Sequence, residues 1–206
     1  IAMDIKIAHS VFALPFAVLA ACMAAAGAEG TIDWSRFGPA LILVVLAMVF
    51  ARTAAMLANR LLDHRIDADN PRTAQRAIPS GRLPVRHATI ALVASIGLFL
   101  LTCLGFLPTN DNPWPIILAL PVLAWICLYP LAKRFTWLCH AWLGLSLAIS
   151  PLAAALAISP DALLQQPSIW LLSGMVLVWV TGFDVLYALQ DIEVDRSQGL
   201  HSMPSS

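Results

Sequence analysis

Apolar residues dominate six stretches of this chain: Ile7–Gly27, Phe37–Met56, Ala88–Leu107, Trp114–Leu131, Trp137–Ile158 and Ile169–Tyr187. A helix needs about 20 mostly apolar residues to cross a bilayer core. The pattern therefore predicts an all-α, polytopic transmembrane bundle of about six helices. The first stretch lacks a basic front region and is followed by further spans, which sets it apart from a cleaved signal peptide. Pro15, Pro39, Pro121 and Pro151 fall in or near these stretches. Membrane helices tolerate them because neighbouring helices re-satisfy the freed carbonyls. Trp114, Trp137 and Trp170 lie near span ends, where an amphipathic ring prefers the interface.

Composition agrees with the pattern. The chain has 206 residues, 60% hydrophobic and 12% charged, with a mean hydropathy of +0.80. Soluble domains average about 45–50% apolar and about 25% charged. Twelve Lys and Arg balance twelve Asp and Glu, so no global basic field points to nucleic acid. Cys22, Cys103, Cys127 and Cys139 have no metal-type spacing and lie in apolar runs. They are expected to be small buried hydrophobes rather than a disulfide framework. The first residue is Ile1, which predicts a native beginning further upstream.

Basic residues set the expected topology. Arg60, Arg65, Arg72, Arg76, Arg82 and Arg86 follow the second span, Lys133 and Arg134 follow the fourth, and Lys6 and Arg196 mark the two ends. The other side has only Arg36, and Arg52 lies within a span. The positive-inside rule then places both termini and both basic loops in the cytoplasm. The connections Pro108–Pro113 and Ser159–Ser168 are expected to be simple.

Polar residues gather at the same end. Asn59, Asp63 and Asp67 recur every fourth position after the second span, and Tyr187, Asp191 and Asp195 repeat that spacing after the sixth. Residues four apart share a helix face, about 6 Å along the axis. Like-charged carboxylates so placed destabilise a bare helix. A divalent cation reverses the sign of that energy. Mg²⁺ takes hard oxygen ligands and pairs a few carboxylates with a substrate phosphate. Two facing pairs therefore predict a diphosphate site, the alternative being a solvated helix end.

Other charges leave two readings open. At about 100° per residue, Arg52 falls on the stripe of Asn59 and Asp63, and Asp184 bears the same relation to Asp191 and Asp195. Both lie about 10 Å deeper than the motifs. They form either an ion pair clipping two helices together or a site for a small polar acceptor. Lys133 and Arg134 either bind diphosphate oxygens or mark topology. Arg72 and Arg76, after the Asn70–Pro71 turn, share that ambiguity. His9 and His140 stand singly on apolar stretches and are expected to be packed polar residues outside the site. Trp125, Trp142 and Trp179 are expected in the core, against lipid or along an apolar channel.

The segments ARTAAMLANRLLDHRIDADNPRTAQRAIPSG, YPLAKRFT and GFDVLYALQDIEVDRSQGLHSMP, with HSVFALPFA in the first helix, carry a family resemblance. They resemble the UbiA superfamily of intramembrane aromatic prenyltransferases, most of all bacterial 4-hydroxybenzoate polyprenyltransferases, including members linked to the futalosine route to menaquinone. The resemblance implies a metal set of Asn59, Asp63, Asp67, Asp191 and Asp195, with Mg²⁺ as cofactor. It gives Lys133, Arg134 and Asp184 catalytic roles, Asp184 toward an acceptor phenol. Arg52, Arg72 and Tyr187 are expected to bind substrate. Members of this family usually have nine helices, so residues 1–206 are expected to form a single transmembrane prenyltransferase domain truncated after the second Asp motif.

The implied reaction is Mg²⁺-dependent transfer of a polyprenyl group from its diphosphate to a hydroxylated aromatic acid in quinone biosynthesis. The implied partners are a polyprenyl diphosphate, an aromatic acid and the lipid bilayer, with no nucleic acid. The expected location is the bacterial inner membrane, with the Asp motifs on the cytoplasmic side. The rival reading is a secondary transporter, since two matching charged helices resemble an internal repeat. Against it, the aspartates cluster at one interface, whereas transporter sites lie near the midplane. A CDP-alcohol phosphotransferase would need a longer Asp-Gly-containing motif that the chain lacks.

Overall fold

The computed structural model describes residues 13–27 and 30–204. Lys6, His9 and the start of the first apolar stretch lie outside the described residues. Helices follow one another as α1 (Leu14–Ala26), α2 (Trp34–Leu62), α3 (His64–Asp69), α4 (Val85–Leu104), α5 (Phe106–Asn110) and α6 (Trp114–Leu128). A 3₁₀ segment, Tyr129–Arg134, leads to α7 (Cys139–Ile158), α8 (Ala162–Gln165) and α9 (Pro167–Ala188). A second 3₁₀ turn, Leu189–Asp191, precedes α10 (Ile192–Ser197). No strand occurs among the described residues.

Five segments are long and apolar enough to cross a membrane: Trp34–Leu62, Val85–Asn110, Trp114–Arg134, Cys139–Ile158 and Pro167–Ser197. The described part of the first stretch, α1, is a shorter apolar helix of 13 residues. Only 22–39% of each spanning window is buried inside the protein, so most of the apolar surface faces outward, as lipid requires. Ile42, Val93, Leu101, Leu120, Leu171 and Val178 are all exposed. The interior, by contrast, is built of small residues. Ala17, Ala21, Ala40 and Ala154 pack with Phe37, Val44 and Phe106 where α1, α2, α5 and α7 meet. Small side chains let helix backbones approach closely in a bilayer. Gly144 of α7 shows this most sharply: a Cβ there would stand 2.2 Å from Thr181 Oγ1 and 2.8 Å from the Leu177 carbonyl of α9.

Local chemistry explains the helices. Asp33 caps α2 by accepting from the Ser35 amide at 3.0 Å and the Ser35 hydroxyl at 2.6 Å. The same bonds hold its carboxyl below the usual range. Pro39, Pro121 and Pro151 sit inside α2, α6 and α7 without ending them. Thr53, Ser95, Thr102 and Ser146 each return their hydroxyl to the carbonyl four residues back, which satisfies a polar group where water is absent. All four cysteines are free, as expected, but only Cys103 is fully buried; Cys22, Cys127 and Cys139 are half-buried, which corrects the expectation that all four are buried.

Two further expectations are corrected. The connections Pro108–Pro113 and Ser159–Ser168 are not simple: α5 extends into the first and α8 lies in the second. Asn112 donates to the Leu156 and Ala157 carbonyls at 2.7 and 3.0 Å, and Gln166 donates to Met23 O at 3.0 Å. The Asn112 amide pairs with carbonyls in the last turn of α7 that the helix end leaves without intrahelical partners, and Gln166 adds a second donor to Met23 O, which already accepts from the Gly27 amide at 3.2 Å. Nor does either aspartate motif ride one straight helix. Asp63 interrupts α2 and α3, and Asp191 closes the 3₁₀ turn between α9 and α10. The break after α2 is compensated locally: Arg134 Nη2 donates to Leu62 O at 2.7 Å, and His64 Nδ1 lies 2.8 Å from Leu61 O.

Candidate active site

The break at Asp63 brings its carboxylate against the loop before α7. Asp63 is buried, 2.7 Å from Lys133 Nζ and 3.4 Å from Arg134 Nη2. One turn on, the buried Asp67 receives Arg76 Nη1 on both oxygens, at 2.6 and 2.7 Å, with Arg60 Nη1 at 3.9 Å. The i,i+4 bond survives the break, with the Asp67 amide 2.8 Å from Asp63 O. Both carboxylates of the first motif thus stand close together, each matched by cations from outside its own helix.

The second motif is built the same way. Arg72 presents a fork to Asp191, Nε to Oδ1 at 3.0 Å and Nη2 to Oδ2, while Asn70 donates to Oδ1 at 3.3 Å. The Asn70 side chain also accepts from the Arg72 amide at 2.9 Å, shaping the turn that aims the guanidinium. Arg72 lies 5.4 Å over the Tyr187 ring and donates to its hydroxyl at 3.4 Å. Burial alone would lower the Arg72 pKa, but the Asp191 hydrogen bonds and charge outweigh it and raise the pKa above its ordinary value.

Cations link the two motifs. Arg72 interacts electrostatically with Asp67 as well as Asp191. Lys133, paired with Asp63, also acts on Asp195, whose carboxylate is hydrogen-bonded by Ser202. The structure therefore brings Asp63, Asp67, Asp191, Asp195, Lys133, Arg134, Arg72 and Tyr187 to one end of the bundle. Among the described residues, no three His, Cys, Asp or Glu side chains are gathered as a ready metal cluster. The motif carboxylates face cations instead.

Beneath this polar layer lies a cavity of about 320 Å³. Its walls are almost wholly apolar, drawn from α2, α4, α6, α7 and α9, with Met48, Phe99, Leu147 and Trp170 among them. Arg52 and Tyr129 are its polar exceptions near the motif end. Arg52 has no hydrogen bond or ion pair among the described residues, and its Nε is buried without a partner. Asn59 turns its amide nitrogen to the Tyr129 hydroxyl, so it links the first motif to the cavity wall.

Arg52 and Asp184 do not pair. Asp184 Oδ2 instead meets His140 Nδ1 at 2.7 Å. The reading in which these two charges clip α2 to α9 is thereby corrected. His140, expected outside the site, lies in the first turn of α7, beside the end of α9 that carries Asp184. Its depth, rather than its apolar neighbours in sequence, was the available signal. Arg60, Asn70 and Tyr129 were likewise missed. Each is named by a contact across elements that local spacing does not encode.

The sequence model of the UbiA prenyltransferase family matches residues 13–206. The chain is 31% identical over 175 residues to 4-hydroxybenzoate octaprenyltransferase of Aliivibrio salmonicida, covering 85% of this chain and 57% of that protein. The enzyme of the same name from Saccharophagus degradans is 32% identical over 177 residues, covering 85% and 54%. The chain thus spans little more than half the length of these curated relatives. Among solved structures, a UbiA homolog from Aeropyrum pernix K1 superposes with a TM-score of 0.81 at 32% identity, covering 97% of this chain and 70% of that one. A digeranylgeranylglyceryl phosphate synthase shares the fold at 19% identity, with a TM-score of 0.72. An apolar multi-pass bundle, two facing aspartate motifs interleaved with Arg and Lys, and this match over nearly the whole described chain lead to one assignment: the chain belongs to the UbiA prenyltransferase family.

Proposed function

We propose that the chain supplies the donor and acceptor sites of an enzyme that moves a polyprenyl group from its diphosphate to a hydroxylated aromatic acid, 4-hydroxybenzoate or a dihydroxynaphthoate. The observation that carries this reading is the layering. Asp63, Asp67 and Asp191 interleave with Arg72, Arg76, Lys133 and Arg134 at one end of an apolar cavity, whose wall holds Arg52 without a counter-ion. Such a chamber suits a substrate with a diphosphate head and a hydrocarbon tail, together with a small acid. Family membership favours this over a transporter.

Asp63, Asp67, Asp191 and Asp195, with Asn59 nearby, are the hard oxygen donors that would hold Mg²⁺, and Arg72, Arg76, Lys133 and Arg134, which now face three of these carboxylates, would turn aside to admit it. Bound there, Mg²⁺ supplies Lewis-acid neutralisation of the diphosphate. Lys133, Arg134 and Arg72 are the chain's own contribution. Their charges can turn to phosphate oxygens, where they favour the electron pair that leaves with the diphosphate as the allylic C–O bond breaks. The apolar wall keeps water from the resulting cation. An electron-rich ring carbon forms the new C–C bond, and one ring proton is lost. Arg52 binds the acceptor carboxylate as a fork, and Asp184 accepts a hydrogen bond from its phenol. Tyr187 holds Arg72 in place. The basic loops support a reading in which this end of the bundle lies at the cytoplasmic face of a bacterial inner membrane.

The test is diphosphate release by the intact protein in bilayer nanodiscs, from prenyl diphosphates of several lengths, with each aromatic acid and with or without Mg²⁺. The expected result is release that needs both Mg²⁺ and an aromatic acid, with a prenylated acid as product. Release without a prenylated product, or none with any acceptor, overturns the reading.

A further inference from the structure

His140 is the buried titratable group that the proposed reaction leaves unused. The residue is 4% exposed, and Nδ1 lies 2.7 Å from Asp184 Oδ2. A carboxylate only accepts, so the bond requires the proton on Nδ1. The other ring nitrogen, Nε2, is buried and has no hydrogen-bond partner. The short Nδ1 contact with Asp184 is thus the imidazole's principal hydrogen bond, with the neighbouring Cys139 thiol as a further side-chain partner. Asp184 itself is partly exposed, its side chain 32% accessible. It acts electrostatically on Tyr129 of the cavity wall, and its Oδ1 takes no hydrogen bond among the described residues. One oxygen is thus fixed from behind, and the other is left for a donor.

A helix clamp is the bland alternative. The contact between α7 and α9 has other means of closure. Gly144 admits Thr181 and Leu177 at close range, and the Ser173 hydroxyl donates to the Ala148 carbonyl at 2.7 Å. A clamp at position 140 would also gain by satisfying Nε2, since buried polar atoms are normally paired.

We propose that His140 is a positioning residue for the acceptor: it fixes Asp184 through Nδ1–H, so that the free carboxylate oxygen receives the phenol hydroxyl of the aromatic acid. This rests on the acceptor chemistry proposed above and adds no covalent step to it. The phenol is held in one orientation relative to Arg52, so the ring carbon beside the hydroxyl meets the prenyl cation. A side chain that only packs between the helices would not set that angle.

Initial rates of the intact protein in nanodiscs, with each substrate varied in turn, test the assignment. His140→Leu is expected to lower kcat by about tenfold or more, while the KM for prenyl diphosphate stays within about twofold. His140→Asn, whose amide nitrogen takes the place of Nδ1, is expected to recover kcat to within about threefold of the unsubstituted protein. A mere clamp would move kcat, both KM values and thermal stability together, and His140→Asn would restore them in parallel, a result that overturns the proposal. Unchanged kcat in His140→Leu, or equal loss in His140→Leu and His140→Asn, overturns the proposal. If His140→Leu does not fold, His140→Asn against His140→Ser decides, since the shorter hydroxyl stops short of Asp184. An Asn variant that is faster at equal thermal stability and equal KM for prenyl diphosphate supports the role, and equal rates, or a difference that follows stability and both KM values, overturn it. An unsubstituted protein that prenylates no aromatic acid overturns the proposed function itself, a different result from normal turnover indifferent to position 140.

Discussion

Lys133 Nζ stands 2.7 Å from Asp63 Oδ2, tying the 3₁₀ segment after α6 to the break after α2. The carboxylate is 5% exposed and the ammonium 28%, so the pair is one-sided: Asp63 depends on the lysine more than the reverse. Removing one partner of a buried pair leaves a charge without compensation. Arg134, 3.4 Å from the same carboxylate, compensates in part, so Lys133→Met is expected to destabilise the protein by less than about 3 kcal/mol, the low end for a wholly uncompensated charge. The companion Lys133→Met, Asp63→Asn variant should recover part of that. Thermal melts in nanodiscs check this, and a single variant as stable as the unsubstituted protein would contradict it.

Asp63→Ala and Asp191→Ala are each expected to abolish measurable transfer, a loss of at least about a hundredfold, while membrane insertion is retained. Neither side chain anchors the Ala-rich core, which lies deeper between α1, α2, α5 and α7. Turnover with saturating Mg²⁺, together with the protein's yield in membranes, separates the two effects. Near-normal rates in both variants would remove these residues from the diphosphate site.

Arg72 grips Asp191 through two nitrogens, and Asn70 aims it from behind. A lysine keeps the charge but loses the planar fork. Arg72→Lys is therefore expected to raise the KM for prenyl diphosphate by about tenfold, with the KM for the aromatic acid unchanged. Paired titrations of donor and acceptor measure this. An equal rise in both KM values would place Arg72 in the framework rather than at the donor.

The spans were legible because apolar runs in a bilayer protein are long and nearly uninterrupted, so α2, α4, α6, α7 and α9 fall close to the expected stretches. The clustering at one end was legible too, since Asp63, Asp67, Asp191 and Asp195 recur at fixed spacing beside basic loops. The breaks at Asp63 and Asp191 were not, because a four-residue step looks the same on a straight helix and on an interrupted one. Contacts between elements were the other blind spot. The His140–Asp184 bond joins side chains 44 positions apart. No periodicity within α7 or α9 signals it; only the antiparallel pairing of those helices does.

Arg52 poses a conflict between stability and function. Its guanidinium projects into an apolar cavity, its Nε is buried without a partner, and no anion among the described residues balances it. An uncompensated charge in such a place is a cost to folding. Residues that lower stability in this way often persist for function. If the charge awaits the carboxylate of the aromatic acid, Arg52→Met should change two quantities in opposite directions. The melting temperature of the substrate-free protein should rise, because Met fills similar volume without a charge. The affinity for the aromatic acid should fall by about 1–3 kcal/mol, from about fivefold to somewhat over a hundredfold in KM. A third measurement ties them together. Adding 4-hydroxybenzoate should raise the melting temperature of the unsubstituted protein by mass action and leave that of Arg52→Met nearly unmoved. The prenyl diphosphate should stabilise both alike. A variant that is more stable yet still stabilised by the acid would place the carboxylate elsewhere and leave Arg52 without a role at the acceptor.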